Sequence, residues 1–289
     1  MNFKLAFKNV NIMKNKDFLD KHYREIKNYR LALPDKQRSN LFSESLFRWL
    51  FIPDPDMIED PEFFRATYFD LQDQLQKLFA ALGYDRIRAG ELTEVFFNKL
   101  PEIRQTLIED ADAILQFDPA AQSMEEIFLT YPGFFTTALY RMAHQLWEQK
   151  ISILPRLIMA YAHSKTGIDI HPEAYIGKAF TIDHGTGIVI GSSAHIGHHV
   201  KIYQGVTLGA IHVDKSLADK KRHPTIEDRV TIYAGTTILG GKTIVGCDSI
   251  IGDNVCLTHS VPAFSKVYQK SEIKVRNNRS FPDPIDFVI

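Results

Sequence analysis

The segment Asp183-His184-Gly185-Thr186-Gly187 sets a histidine beside a carboxylate in a glycine-rich turn. Histidine titrates near neutrality, so it is the side chain best matched to taking a proton from a hydroxyl as that oxygen attacks an electrophile. A second carboxylate, Asp169, lies upstream, and a base of this kind works better when a carboxylate fixes its tautomer and stabilises the imidazolium. Arg222-His223-Pro224 offers a planar fork able to grip a carboxylate, next to another imidazole. Taken singly, each has a plainer reading. An Asp-His pair among glycines fits a solvated turn, and Arg-His-Pro fits a surface corner. They amount to a site only if the chain brings them together, so the elements that carry them decide.

The chain changes character near residue 165. Before it, glycine and valine are scarce and Phe, Leu, Glu, Lys and Arg are common, as helices prefer. Asp60-Pro61 predicts an N-cap with proline at the first helical position. Phe64, Tyr68, Leu71, Leu75 and Phe79 keep helical spacing to about Ala81, and Gly83 is the stop. Further helices are expected over roughly 14–32, 42–51, 91–99, 101–115 and 133–149. From Ile168 aliphatic residues recur every six positions. They stand at Ile170, Ile176, Ile182 and Ile188, shift by two to Ile190, Ile196, Ile202 and Leu208, and resume after an interruption at Ile226, Ile232, Ile238, Ile244 and Ile250, with Cys256 completing the series. Neither a helix nor a hairpin repeats at six; a parallel β-solenoid does, each unit burying its face on the next. Ala174, Ala194, Val200, Val206, Val230 and Thr236 suit a second inward position near the corners.

This repeat resembles the left-handed parallel β-helix of the hexapeptide acyltransferases. Asp169-Ile-His-Pro172, Asp183-His-Gly-Thr-Gly187 and Arg222-His-Pro224 narrow the resemblance to the serine O-acetyltransferases. Asp118-Pro-Ala120, Tyr131-Pro-Gly-Phe134 and Tyr140-Arg-Met-Ala-His144 are similar to the end of that family's helical domain. The likeness covers about residues 115–262. It implies an α+β fold, with an all-helical N-terminal domain at 1–165, the β-helix at 166–262 and an extended C-terminal tail at 263–289.

The resemblance also implies the roles. His184 is the general base that deprotonates the L-serine hydroxyl for attack on acetyl-CoA, and Asp169 is its carboxylate partner. The two would sit on adjacent coils about 4.8 Å apart, with the loop Asp183–Gly187 closing any lateral offset. Asp118 and Asp183 would take the serine ammonium, Arg222 its carboxylate, and His223 a further hydrogen bond. Gly209, Ala210, Ala234 and Gly235 would line the path of the pantetheine arm. The implied assembly is a trimer with sites between subunits, pairing into a hexamer through the helical domains. Three features depart from the family pattern: the interruption Ile211–Lys221 is longer and more charged than usual, Tyr233 stands where glycine is usual, and the usual Gly-Val-Pro-Ala ending of the β-helix is lacking.

Composition bounds the rest. With 34 basic and 35 acidic residues there is no net field to hold a nucleic acid. No run approaches the roughly 20 apolar residues of a membrane span, so the expected location is cytoplasmic. Cys247 and Cys256 are too few for a disulfide framework and are not spaced as a zinc motif. His195, His198 and His199 read as turn residues, and no metal is expected. The tail ends Phe287-Val288-Ile289. In the family a C-terminal isoleucine enters the active site of O-acetylserine sulfhydrylase, so that enzyme is the expected partner through Ile289. The competing readings are an acyltransferase with another hydroxyl acceptor, a zinc-dependent lyase related to carbonic anhydrase, and a non-catalytic scaffold.

Overall fold

The computed structural model describes residues 15–29, 34–211 and 220–270. The expectations for the tail, Ile289 included, and for most of the interruption lie outside the described residues. The helices are α1 (Lys16–Tyr29), α2 (Lys36–Phe51), α3 (Pro55–Glu59), α4 (Pro61–Ala81), α5 (Arg86–Phe117), α6 (Met124–Thr130), α7 (Pro132–Glu148) and α8 (Leu154–Thr166). Helix α4 begins as expected. The Asp60 carboxylate accepts the Glu62 N–H at 2.9 Å, Pro61 opens the first turn, and Gly83 follows the end at φ 91°.

Two expected helices, 91–99 and 101–115, are one. Helix α5 runs through Pro101, although an interior proline removes a hydrogen bond and crowds the preceding turn. Phe96, Phe97 and Leu100 before it and Ile103 and Leu107 after it are all buried. One continuous apolar face outweighs the local cost. Helices α3, α6 and α8 were not foreseen. Helix α8 is closed by Gly167 in the left-handed conformation at φ 71°, and β1 follows two residues later.

The solenoid is formed by short parallel strands: β1 (Asp169–Ile170), β2 (Tyr175–Ile176), β3 (Thr181–Asp183), β4 (Val189–Ile190), β5 (His195–Ile196), β6 (Lys201–Tyr203), β7 (Thr207–Gly209), β8 (Thr225–Ile226), β9 (Thr231–Ile232), β10 (Thr237–Leu239), β11 (Ile244–Val245), β12 (Ile250–Ile251), β13 (Cys256–Leu257) and β14 (Lys266–Val267). Three faces result, ordered β1-β4-β7-β10-β13, β2-β5-β8-β11 and β3-β6-β9-β12-β14. The last rung, β14, stands beyond residue 262, where the coil was expected to end. The aliphatic residues from Ile170 to Ile238 point inward as the period requires. Beyond Ile238 the phase is corrected. Ile244 and Ile250 are exposed, as is Cys256, while Val245 and Ile251 are fully buried and Leu257 packs against the core. One extra residue at the Gly240 corner, where φ is 101°, moves the inward position along by one.

A single apolar core runs from the helices into the coil. Helices α5 and α7 pack on β3, and α8 packs on β1. The helical layer therefore lies against the first coil, the one that carries Asp169, Asp183 and His184.

Candidate active site

His184 follows β3 at the corner that leads into β4. Its backbone is left-handed, φ 57°, and its side chain is 76% exposed. A non-glycine residue in this region is uncommon and is found where a side chain must be aimed. The loop is tied to the end of α8 through the Gly187 N–H, which donates to the Gly167 carbonyl at 2.8 Å. Asp183, at the end of β3, sits between two basic side chains: Oδ1 is 3.8 Å from His184 Nε2 and Oδ2 is 3.9 Å from Lys201 Nζ.

Asp118 faces the same cleft from the helical side, together with Phe117, Tyr131, Thr181 and Lys201. It is the C-cap of α5, where the helix dipole disfavours a negative charge. Local donors compensate. The Ala120 N–H donates to Oδ1 at 2.8 Å and the Tyr131 hydroxyl to Oδ2 at 2.7 Å. Burial raises the Asp118 pKa, but these two hydrogen bonds and the charges of Lys201 and His184 outweigh it and hold the carboxyl below its ordinary value. Tyr131 is pushed up to about 12 by burial and by Asp118, so it stays a phenol that donates. The Thr181 hydroxyl, in the same cleft, is buried without a partner.

Arg222 and His223 occupy a different corner, between the β1-β4-β7 face and the β2-β5-β8 face. Arg222 Nη2 donates to the Ser192 hydroxyl at 2.9 Å, and its backbone N–H donates to the Ser193 hydroxyl at 2.9 Å. His223 is 8% exposed. Its Nδ1 accepts from the Ser193 N–H at 3.1 Å, which puts the proton of the neutral ring on Nε2. The ring lies so close over Gly191 that a Cβ there would come within 2.0 Å of it. Burial, then the Arg222 and Lys221 charges, lowers the His223 pKa to about 4. Beyond this corner opens a groove of about 620 Å³ lined by Ile211, Lys221, Arg222, Gly240, Lys242 and His259, among others.

Within one chain, then, Asp118, Asp183 and His184 come together, while Arg222 and His223 form a second cluster at another corner. Asp169 is exposed on β1 beside Val189, and among the described residues no hydrogen bond or ion pair joins it to His184. The four glycine and alanine positions divide the same way. Gly209 and Ala210 lead into the groove near Arg222, and Ala234 and Gly235 stack on Gly205 at the His184 corner. Lys201, Tyr131 and Thr181 were not singled out from the sequence as site residues. Lys201 becomes visible only through the register of β3 with β6, which sets Thr181 beside Lys201. His195 stacks on Tyr175 at 4.4 Å, and His198 Nδ1 accepts the Lys178 N–H at 3.0 Å.

No family model matches the chain. A plasmid serine acetyltransferase of Synechococcus elongatus is 50% identical over 186 residues, which cover 63% of this chain and 58% of that protein. The serine acetyltransferase of Bacillus subtilis is 43% identical over 189 residues, 62% of this chain and 85% of that protein. Among solved structures, serine acetyltransferase isoform 3 of Entamoeba histolytica, in complex with cysteine, superposes with a TM-score of 0.74 at 32% identity, over 83% of this chain and 84% of that one. Serine acetyltransferase 1 of the same organism, in complex with L-cysteine, gives a TM-score of 0.72 at 34% identity.

Proposed function

The chain belongs to the serine acetyltransferases, and we propose that it moves the acetyl group of acetyl-CoA to the L-serine hydroxyl with His184 as general base. The observation that carries this reading is the cleft lined by both Asp118 and Asp183, the second of them 3.8 Å from His184. Two carboxylates, one held ionised by its own donors, suit an ammonium group. An imidazole at its edge then reaches the hydroxyl of the same small molecule. His184 takes the serine proton as the oxygen attacks the thioester carbonyl; the carbon–sulfur bond breaks and the CoA thiolate leaves with a proton. Asp183, 3.8 Å away, stabilises the imidazolium formed. Asp169 joins it only if the loop moves toward β1.

Arg222 takes the serine carboxylate, and the neutral His223 donates from Nε2. These two stand at the other corner of the coil, so the reading requires that a second copy of the chain bring its Arg222 corner to the His184 corner of the first. A homotrimer around the coil does this three times over, and a hexamer pairs two trimers. The groove beyond Gly209 and Ala210 supports an acetyl-CoA path, its Lys221 and Lys242 having the sign that phosphates need. No helix among the described residues is long and apolar enough to cross a membrane. A cytoplasmic location and an O-acetylserine sulfhydrylase partner engaging the Phe287-Val288-Ile289 segment complete the proposal.

The test is release of free thiol from acetyl-CoA against a panel of hydroxyl acceptors. Serine is expected to be the preferred acceptor, and His184→Ala to lower turnover by about 10²–10⁴-fold with smaller changes in both KM values. Full turnover in that variant, or no preference for serine over a sugar alcohol, would remove the reading.

A further inference from the structure

The strand that carries Asp183 and His184 is an edge strand. In its face the order is β14-β12-β9-β6-β3, so β3 has a strand on one side only. On the free side the helical layer takes the place of the missing rung. The Asp110 carboxylate, fully buried, accepts the Phe180 N–H at 2.9 Å, and Phe180 is the residue immediately before β3. The same carboxylate holds Arg141 in a two-point grip, Nε to Oδ2 at 2.6 Å and Nη2 to Oδ1 at 2.8 Å. Arg141 in turn donates to the Ile176 carbonyl at 3.2 Å and the Gly177 carbonyl at 2.8 Å, at the corner that leads into β3. From α7, Gly133 presses on the middle of the strand: a Cβ there would stand 2.5 Å from the Ile182 oxygen.

Asp110 is also on the helix that ends at Asp118, about two turns earlier. One carboxylate therefore connects α5, whose end presents Asp118, to the start of β3, whose end presents Asp183 and His184. A buried ion pair of this kind is weak evidence for stability, because desolvating both charges offsets much of their attraction. Its five hydrogen bonds do constrain geometry: they close only at one spacing and one register between helix and strand. The cleft described above needs that constraint, since its two carboxylates come from opposite sides of the junction.

We propose that Asp110 and Arg141 are positioning residues for acetyl transfer, fixing β3 against α5 and α7 so that Asp183 and His184 meet a substrate held by Asp118. The inference rests on the reading that this cleft takes the acceptor. A displacement of about 1 Å at a reacting centre is enough to lower rates about 10²-fold.

The experiment is steady-state kinetics per folded molecule, with the folded fraction measured by circular dichroism, on Asp110→Asn, Arg141→Lys and Gly133→Ala. Asp110→Asn keeps the shape and loses the charge; Arg141→Lys keeps the charge and loses the fork. The Gly133 change displaces the middle of β3 from α7 and alters neither charged side chain. The expected result is a kcat/KM for serine about 10²-fold lower in each folded variant, with the KM for acetyl-CoA changed less than about twofold. A merely structural role predicts lower melting temperatures with wild-type constants per folded molecule, and that result overturns the proposal. If Asp110→Asn does not fold, Gly133→Ala decides by the same criterion. A wild-type chain that fails to acetylate serine removes the functional reading and this inference together. An active wild type with unaffected variants removes the inference alone.

Discussion

At the scale of single residues, the protonation of the site is set by what each group touches. Two histidines at the Arg222 corner are held neutral. His223 is lowered to about 4 by burial, then by Arg222 and Lys221, and His171 to about 4 by burial, then by Arg156, His223 and Arg222. His171 Nδ1 lies 3.1 Å from the Glu173 N–H and Nε2 2.7 Å from Arg156 Nη1, two donors of which a neutral ring accepts one. For both, the folded value lies below the ordinary 6.5, so the unfolded chain binds protons first as the pH falls. Their contribution to stability is complete above pH 6.5 and is lost as the pH falls from there toward about 4. The melting temperature is therefore expected to be level above neutrality and to decline through that window. His171→Gln is expected to make the decline shallower, measured by thermal denaturation across pH. An unchanged slope would show that other groups carry the acid sensitivity. Asp118 is shifted in the same direction with the opposite consequence for charge, a carboxylate at an unfavourable helix end kept ionised by the Ala120 N–H and the Tyr131 hydroxyl.

At the scale of elements, the corner beside His184 is a column of glycines. Gly167, Gly187, Gly205 and Gly235 all have positive φ, and a Cβ on Gly205 would lie 3.3 Å from both the Cα and the nitrogen of Gly235. Gly205→Ala should destabilise by about 1–2 kcal/mol through the left-handed backbone alone. Gly90, inside α5, meets only the end of Gln76 at 3.5 Å, so Gly90→Ala should stabilise by about 0.5–1 kcal/mol. Urea unfolding of the two variants checks both signs. These elements were partly legible in the sequence, and the reasons differ from place to place. The hexad period fixed the inward face through Ile238 because each unit offers one aliphatic residue. It failed at Ile244-Val245 and Ile250-Ile251, where adjacent aliphatics fit two phases and only the bend at Gly240 chooses between them. Asp60-Pro61 was readable because capping is local, whereas the passage of α5 through Pro101 was not, because burial on both sides decides it. In the candidate site, Asp118, Asp183 and His184 were proposed from motifs, and the structure brings them together. Lys201 needed the register of β3 with β6, which motifs do not give.

At the scale of the whole molecule, the proposed joining of the two clusters in one acceptor site makes a demand that one chain does not meet. His184 follows β3 and Arg222 precedes β8, so a full hexad face separates their corners, and the coil between them is rigid through its ladder of parallel pairs. Closing that distance within a chain would break the solenoid; closing it between copies breaks nothing. In the proposed ring each site would join the His184 corner of one copy to the Arg222 corner of the next, a head-to-tail contact that closes on itself. The consequence is separable from folding and from chemistry. His184→Ala and Arg222→Ala chains are each expected to be nearly inactive alone, the first lacking the base and the second its grip on the serine carboxylate. Denatured together in equal amounts and refolded, they form mixed rings, and in a three-membered ring of either mixed composition one of the three sites draws both native residues. Random assembly then restores about a quarter of wild-type turnover. A site contained in one chain gives no recovery, because every chain in the mixture lacks one of the two residues. Refolding each variant separately and then mixing is the control, and recovery there would report exchange between assembled rings rather than a different site. A mixture that stays at the level of its parents after co-refolding would place Arg222 outside the site that His184 serves.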